Sequence, residues 1–557
     1  MLTLHAYILR ELLKAFGLTI VALSALFTMA GGLYNALRFE GVTPGDLFTV
    51  LPMLIPIVVT FTMPVAALFA ATITYGRLAA DNEFVAARAA GVNIHRLFLA
   101  AGLLAVFVAL FTGLSVNLVI PGFMKRIEYF ARGNVRDMAY QRLLQRGYIR
   151  YGKAGRDQYI LTAQQVLPVD ADELVAKGFE RPGEHVSYFW VERPTFLMID
   201  AQAQLKRFAV AEGGLCQFDT GGRQVRVTVY VKDARDYVLG QAGVGQVKLQ
   251  KFGPYPAPIR FPVRPSMLDL ATLVSWRDAP WLSPELEHDI EKLTGKLRAY
   301  VLYVYAEHRL ADGGTLTLRD ADGIEVRVRA ASCVADRKSL SLRDATVEQA
   351  VAGAARPTRY VAPQARLYAP TDAETGQTTV AIELIRTDEH PVREYNARAL
   401  HPDRPFPRDS VRLIGLLPPA KVMDEVSRFT PAQVVDPRVK LPGASLFAEE
   451  RAKLVAEAGK LRRKVAGLIH FRLGFSLSAL VTVIMGAALG VIFRGSRALA
   501  AFGLACIPFG IVTILMLMGR QLTEHPSTET VGPYVIWAGL ALVAIADVIV
   551  FRVGVRR

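Results

Sequence analysis

The chain has 557 residues, 52% of them apolar and 21% charged, and its 65 Lys and Arg outweigh 50 Asp and Glu for a net charge of +15. The long uncharged runs fall in the first 124 residues and the last 85, and at 21 to 30 residues they exceed the roughly 20 needed to cross a bilayer. A single soluble domain is therefore excluded, and three cysteines exclude a disulfide-rich scaffold.

Three runs open the chain: Ala15 to Leu37, Leu47 to Gly76 and Leu97 to Met124. The first is too long for the apolar region of a signal peptide and a second follows at once, so it reads as an anchored helix. Pro52, Pro56 and Pro64 in the second run free backbone carbonyls and bend the helix, either as plain bending or as a gate. The connection from Arg77 to Arg96 carries the strongest local signal. Asp81 is placed as an N-cap, Glu83 sits in the first turn and Gly91 is placed at C′, which predicts a helix of about three turns over 81–91. Ala86, Ala87, Ala89 and Ala90 leave that helix slim enough for another protein to approach its backbone, with Glu83 and Arg88 as charged contacts. A plain interfacial turn is the competing reading.

Residues 125–445 are soluble in character and β-rich. Stretches at Gly147 to Tyr151, Val225 to Val231, Gly323 to Arg329 and Thr378 to Ile385 alternate or run in β-branched residues between Gly, Asp and Pro punctuation. They suggest two β subdomains, about 140–265 and 313–416, separated by a helix from Ser283 to Leu310 that Ser283 caps and Pro284 opens. Pro-rich links are expected at Phe252 to Pro265 and His401 to Arg408. A stalk helix over 446–472 carries Leu454, Leu461, Val465 and Leu468 at helical spacing and runs into the fourth span. The last spans are Leu473 to Phe493, Ala498 to Gly519 and Thr530 to Phe551. Pro508 interrupts the fifth, Gly486 and Gly490 permit close approach in the fourth, and Asp547 reads as an interfacial acid in the sixth. The expected fold is thus a membrane α-helical protein of three plus three transmembrane helices with a large inserted β-rich, jellyroll-like extracytoplasmic domain.

Orientation follows from the short connections. With the N-terminus inside, Arg10, Lys14, Arg77, Arg88, Arg96, Arg494, Arg497, Arg552, Arg556 and Arg557 lie on the inner side, against Arg38 and Arg520 outside. The insert then faces the extracytoplasmic side, where Cys216 and Cys333 either pair or remain free thiols. Lys460, Arg462, Arg463, Lys464 and Arg472 gather with Arg38 and Lys125 at the outer membrane level. Such a set suits either a phosphorylated lipid headgroup or ordinary snorkelling. No metal-ligand cluster, G-x-S-x-G or H-E-x-x-H occurs, and there is no G-x-x-x-x-G-K-[ST] to cradle nucleotide. The arginines distribute by membrane side rather than along one face, which argues against nucleic acid as a partner.

Gly76-Arg-Leu-x-Ala-Asp-x-Glu-x-x-Ala-x-Arg-Ala-x-Gly91, with Asn117-x-x-x-Pro121 ending the third span, resembles the LptF/LptG (YjgP/YjgQ) family of lipopolysaccharide export permeases. His470-Phe-Arg-Leu-Gly-Phe-Ser-Leu-Ser and Gly486-Ala-Ala-Leu-Gly490 resemble that family's fourth span, and the likeness covers about residues 1 to 150 and 410 to 557. The resemblance implies a half-transporter that pairs with a second LptF/LptG-like chain or a second copy of itself. It implies a loop helix (Asp81, Glu83, Ala86, Ala87, Arg88, Ala90, Gly91) docking into an LptB-like cytoplasmic ATPase, which binds the ATP and Mg while this chain holds no cofactor. It further implies lipid passing between the first and fifth spans, near Pro508, to a β-jellyroll with an apolar groove for acyl chains and on to LptC/LptA-like proteins. LptG-like members contact the lipid through a lysine in the first span, and the nearest positions here are Tyr34 and, one turn later, Arg38. Two other readings stay open: a permease of the same plan for a different lipid, and a membrane-anchored binding or sensor protein.

Overall fold

The computed structural model describes residues 2–32, 44–133, 135–151, 158–179, 181, 183, 185–200, 204–221, 225–238, 245–256, 264–320, 323–350, 356–370, 378–396, 402–441, 443, 445–493 and 498–552. Two compact units emerge: Met1–Leu270 with Gly467–Leu522 and Thr530–Arg557, and Ala271–Ala466 with Thr523–Glu529.

The first unit holds the membrane helices. Among the described residues six helices are long and apolar enough to cross a membrane. They lie in α1 (Leu2–Phe27), α2 (Pro44–Ala80), α4 (Leu99–Leu114) with its continuation, α8 (Ala448–Ile492), α9 (Ala498–Glu524) and α10 (Val531–Val550). Helix α3 (Glu83–Ala89) follows α2, and α4 passes through a π-helical stretch, Ser115–Val119, into α5 (Ile120–Gly133). Helix α1 begins well before the uncharged run because Glu11 is paired, with Lys14 at 2.8 Å and Arg77 at 2.5 Å. Small residues set the packing, as expected where lipid removes the hydrophobic drive between helices. A Cβ on Gly490 of α8 would stand 2.5 Å from the Thr72 carbonyl of α2, and one on Gly486 would stand 3.0 Å from that of Leu68. Helix α2 runs unbroken through Pro52, Pro56 and Pro64, and α9 through Pro508. Asp547 lies in the last turn of α10, as expected, but it is buried, and its Oδ1 has no hydrogen-bond partner among the described residues.

After α6 (Val135–Arg146) comes a nine-stranded antiparallel sheet. Its strands are β1 (Tyr148–Tyr151), β2 (Gln158–Thr162), β3 (Gln165–Leu167), β4 (Val186–Glu192), β5 (Thr195–Ile199), β6 (Leu205–Val210), β7 (Gly213–Asp219), β8 (Arg226–Val238) and β9 (Gly245–Pro256). Strands β2 and β3, β4 and β5, and β6 and β7 are three long strands each bent once. Strand β8 runs the whole length, pairing β7 over Arg226–Lys232 and β6 over Arg235–Val238. The bends share one line, where Arg193 and Asp233 take positive φ (46° and 52°). Hydrogen bonds carry across it, from Gln164 N to Glu192 O at 3.0 Å and from Glu212 N to Lys232 O at 3.2 Å. Both arms turn one face into a single core, with Phe189, Cys216, Phe218 and Val231 from one arm and Leu161, Phe196 and Ala209 from the other. Helix α6 packs Val135, Ala139 and Leu143 into this core and so covers the inner face of the bent sheet. Strand β9 continues through Gly253 and Pro254 to Pro256, where a Pro-rich link is expected from Phe252.

The second unit contains α7 (Pro284–Leu310), whose N-cap Ser283 accepts from Glu285 N and whose first residue is Pro284. Its sheet has nine strands: β10 (Leu316–Arg319), β11 (Glu325–Arg329), β12 (Ser332–Ala335), β13 (Leu340–Gln349), β14 (Thr358–Tyr368), β15 (Val380–Ile385), β16 (Val392–Tyr395), β17 (Phe406–Arg408) and β18 (Ser410–Leu416). Strand β17 passes through the second expected Pro-rich link. The path β10-β11-β13-β14-β15-β18 closes on itself through a bridge between Arg319 and Leu417. Leu316, Val326, Leu342, Val347, Leu367 and Ile382 fill the interior, with Leu302, Tyr303, Ala306 and Leu310 of α7. Small barrels are filled in this way and leave no channel. Cys216 lies in the first core and Cys333 on β12, and both are free thiols.

Candidate functional site

The loop between the second and third spans is built on aromatic packing. Tyr75, fully buried at the end of α2, donates its hydroxyl to the Leu97 carbonyl at 2.8 Å and accepts from Ala101 N at 3.2 Å, which ties the two spans together at their loop end. Phe84 of α3 is buried against Tyr75 and Phe98, with ring centroids 5.9 and 6.2 Å away. Burying that ring contributes about 2 kcal/mol, enough to seat a helix too short to be stable alone. The opposite face stays open: Val85, Ala86, Arg88, Ala89 and Ala90 are exposed, while Ala87 and Glu83 are half-buried.

The C-terminal end of α3 is a Schellman turn. Gly91 takes φ 77°, its N–H donates to Arg88 O, and Val92 N donates to Ala87 O at 3.0 Å. The N-terminal end differs from expectation. Asp81 is not the cap, because its N–H still donates to Arg77 O at 2.9 Å and so closes the last turn of α2. Asn82 stands at the cap position with φ 58° and makes no side-chain cap bond, leaving α3 with seven residues, about two turns. Glu83 accepts a hydrogen bond from the Tyr7 hydroxyl of α1 at 3.3 Å, a contact the loop sequence alone does not signal. An apolar Phe84 among alanines was the one cue to the buried face.

The basic residues separate into different roles. Arg472 of α8 is 2% exposed. Its Nη1 donates to Asn117 Oδ1 at 3.3 Å and Leu268 O at 2.7 Å, and its Nη2 to Ser266 O at 2.9 Å. Three of its five N–H donors are thus used inside the protein, on a side chain withdrawn from solvent. The contact joins two sequence signatures far apart in the chain, Asn117-x-x-x-Pro121 and His470-Phe-Arg472. Asn117 lies in the π-helical stretch and donates its own Nδ2 to Gly113 O at 2.8 Å, which leaves Oδ1 aimed at Arg472. Lys125 is exposed and stands 3.8 Å from Asp269. In the second unit, Arg463 donates to the Glu524 carbonyl at 3.2 Å, and Arg462 is exposed and helps hold the Asp278 carboxyl, beside Arg277, below the usual range. Tyr34 and Arg38, with Arg494 and Arg497, lie outside the described residues.

Six helices long and apolar enough to cross a membrane, interrupted by a β-rich insert, define a multi-pass membrane protein. The family model described as lipopolysaccharide export system permease LptF/LptG matches residues 6–173, from the first span into the first sheet. Over those residues, under a third of its length, the chain is similar to that family of transport components. No curated protein matches the chain.

Proposed function

We propose that this chain is one half of an ATP-driven exporter that lifts lipopolysaccharide or a related glycolipid out of the inner membrane of a double-membraned bacterium. Its termini face the cytoplasm and its β-rich insert the periplasm. The observation that carries the reading is α3, a short helix buried by Phe84 on one side and presenting an alanine face with Arg88 on the other. This is a dock for an LptB-like ATPase, with Asp81 and Glu83 at its charged end and Gly91 fixing where it stops. ATP and Mg belong to that partner, and a second LptF/LptG-like chain, or a second copy, completes the cavity. Lipid leaves past the proline-bearing helices, Pro52 and Pro56 in the second and Pro508 in the fifth, toward LptC/LptA-like proteins. Of the basic residues, Lys125 and Arg462 remain exposed for headgroup phosphates, while Arg463 and Arg472 hold carbonyls.

The test is affinity purification in mild detergent of the wild type beside Glu83→Ala and Glu83→Arg. An ABC-type ATPase and bound glycolipid are expected with the wild type, reduced ATPase with Glu83→Ala and none with Glu83→Arg, because a reversed charge at a dock is repelled. A folded wild-type chain that brings down no ATPase would overturn the reading in favour of a membrane-anchored sensor.

A further inference from the structure

Arg472 has a position that transport of lipid alone does not call for. It is a guanidinium almost wholly withdrawn from solvent, on a helix long and apolar enough to cross the membrane, and it donates to three neutral oxygens. Two of them, the carbonyls of Ser266 and Leu268, belong to the segment that follows the last strand of the first sheet. Both lie at the 3₁₀ turn Pro265–Met267, where they accept from the same guanidinium. The third acceptor, Asn117, comes from the stretch that continues the third span. Asp269, ion-paired with Lys125 beyond that stretch, adds a favourable charge beside the guanidinium. A buried arginine is costlier than a leucine of similar volume, so what it contributes is geometry: a planar fork that fixes three oxygens at once. A lysine also has three donors, but it carries them on one nitrogen and lacks the second arm of the fork that reaches Ser266 O.

We propose that Arg472 is a positioning residue that pins the exit of the first sheet to the third and fourth spans, so that movement of those spans is passed to the sheet. The proposal rests on the transport reading. Arg472 touches neither nucleotide nor the loop helix, so its loss uncouples delivery of lipid to the sheet from hydrolysis of ATP.

The experiment compares wild type, Arg472→Lys and Arg472→Ala, each as the assembled complex in vesicles containing lipopolysaccharide. Three quantities are read: ATP hydrolysis, photocrosslinking of lipopolysaccharide to benzoylphenylalanine placed at Tyr159 on β2, and deuterium uptake by residues 264–270. The expected result is that both variants assemble and hydrolyse ATP within about twofold of wild type while crosslinking falls about tenfold, the size of effect a coupling residue outside both sites produces. Uptake over 264–270 rises in both, and uptake over α4 is unchanged. Wild-type crosslinking in Arg472→Lys overturns the proposal, as does a parallel loss of assembly, hydrolysis and crosslinking in both variants, which marks a merely structural residue. Absence of both hydrolysis and crosslinking in the wild type overturns the transport reading and this proposal with it, whereas the two preceding outcomes leave that reading standing.

Discussion

The two sheets of the insert have nine strands each and solve the same problem in opposite ways. The second closes through Arg319 and Leu417 and fills itself, and its covering helix is fastened by polar bonds as well as by packing. Tyr303 of α7 donates to the Lys338 carbonyl at 2.9 Å and accepts from Ala369 N at 3.2 Å, and Glu307 accepts from Ala335 N at 3.3 Å. The first sheet bends instead of closing, and its concave face depends on α6 for cover. That helix buries Val135, Ala139 and Leu143, adds the Tyr140 ring 5.8 Å from Phe189, and donates from Arg136 Nε to Tyr188 O at 3.1 Å. A closed barrel carries its cover as part of its core, whereas a bent sheet borrows one. Only a borrowed cover can be exchanged for something else.

The largest expected effect separates the two units. Ile382→Ala, at a fully buried position of the barrel, should cost about 2–5 kcal/mol. Amide exchange should quicken over 316–416 and not over 148–256, and equal quickening in both would show that the sheets unfold as one. Leu143→Ala should cost about 2 kcal/mol, the low end for a leucine whose site can partly collapse. If α6 is a separable cover, its own amides should exchange faster while β4, β7 and β8 keep their protection, and loss of protection in those strands would make the helix an inseparable part of the sheet.

Gly213→Ala should cost about 1–3 kcal/mol by overpacking, since a Cβ there runs into the Trp190 ring beside the bend. Limited proteolysis should then cut at the bend, near Arg193, and leave the barrel whole. The smallest effect is chemical. Burial pushes the Cys216 thiol up to about 12, so it should ignore a maleimide at neutral pH while half-buried Cys333 reacts slowly. Because the folded value is raised, the stability that comes from keeping Cys216 neutral is fully present below the ordinary thiol range. It drains away as pH rises from that range toward 12, and alkaline melting followed at the first sheet checks it.

Much of the plan is legible in the residues because hydrophobic run length is a local property. The six spans, the cap at Ser283 and the glycine stop at Gly91 each depend on a few neighbours. The start of α3 was misread because Asp81 is a good cap by type, yet its N–H is already committed to the helix before it, which no residue preference records. For Arg472 the sequence leaves a phosphate contact and ordinary snorkelling both open for a similar reason. Its partners lie at 117 and at 266 to 268, so only the fold reveals the three oxygens it holds. The bends of the first sheet were equally hidden, since Arg193 and Asp233 are not residues that announce positive φ as glycine does.

Helix α6 is joined to β1 by one residue, Gly147, which takes φ 74° as the helix ends. A helix on so short a tether is a competitor that never diffuses away. Any apolar guest of the concave face meets it at an effective concentration on the order of millimolar or higher. The guest's apparent dissociation constant becomes its intrinsic one divided by the fraction of time the seat stands empty. If the first sheet takes up lipid as proposed, such built-in competition would work on the way out as well as on the way in, because the returning helix would refill the seat and favour release.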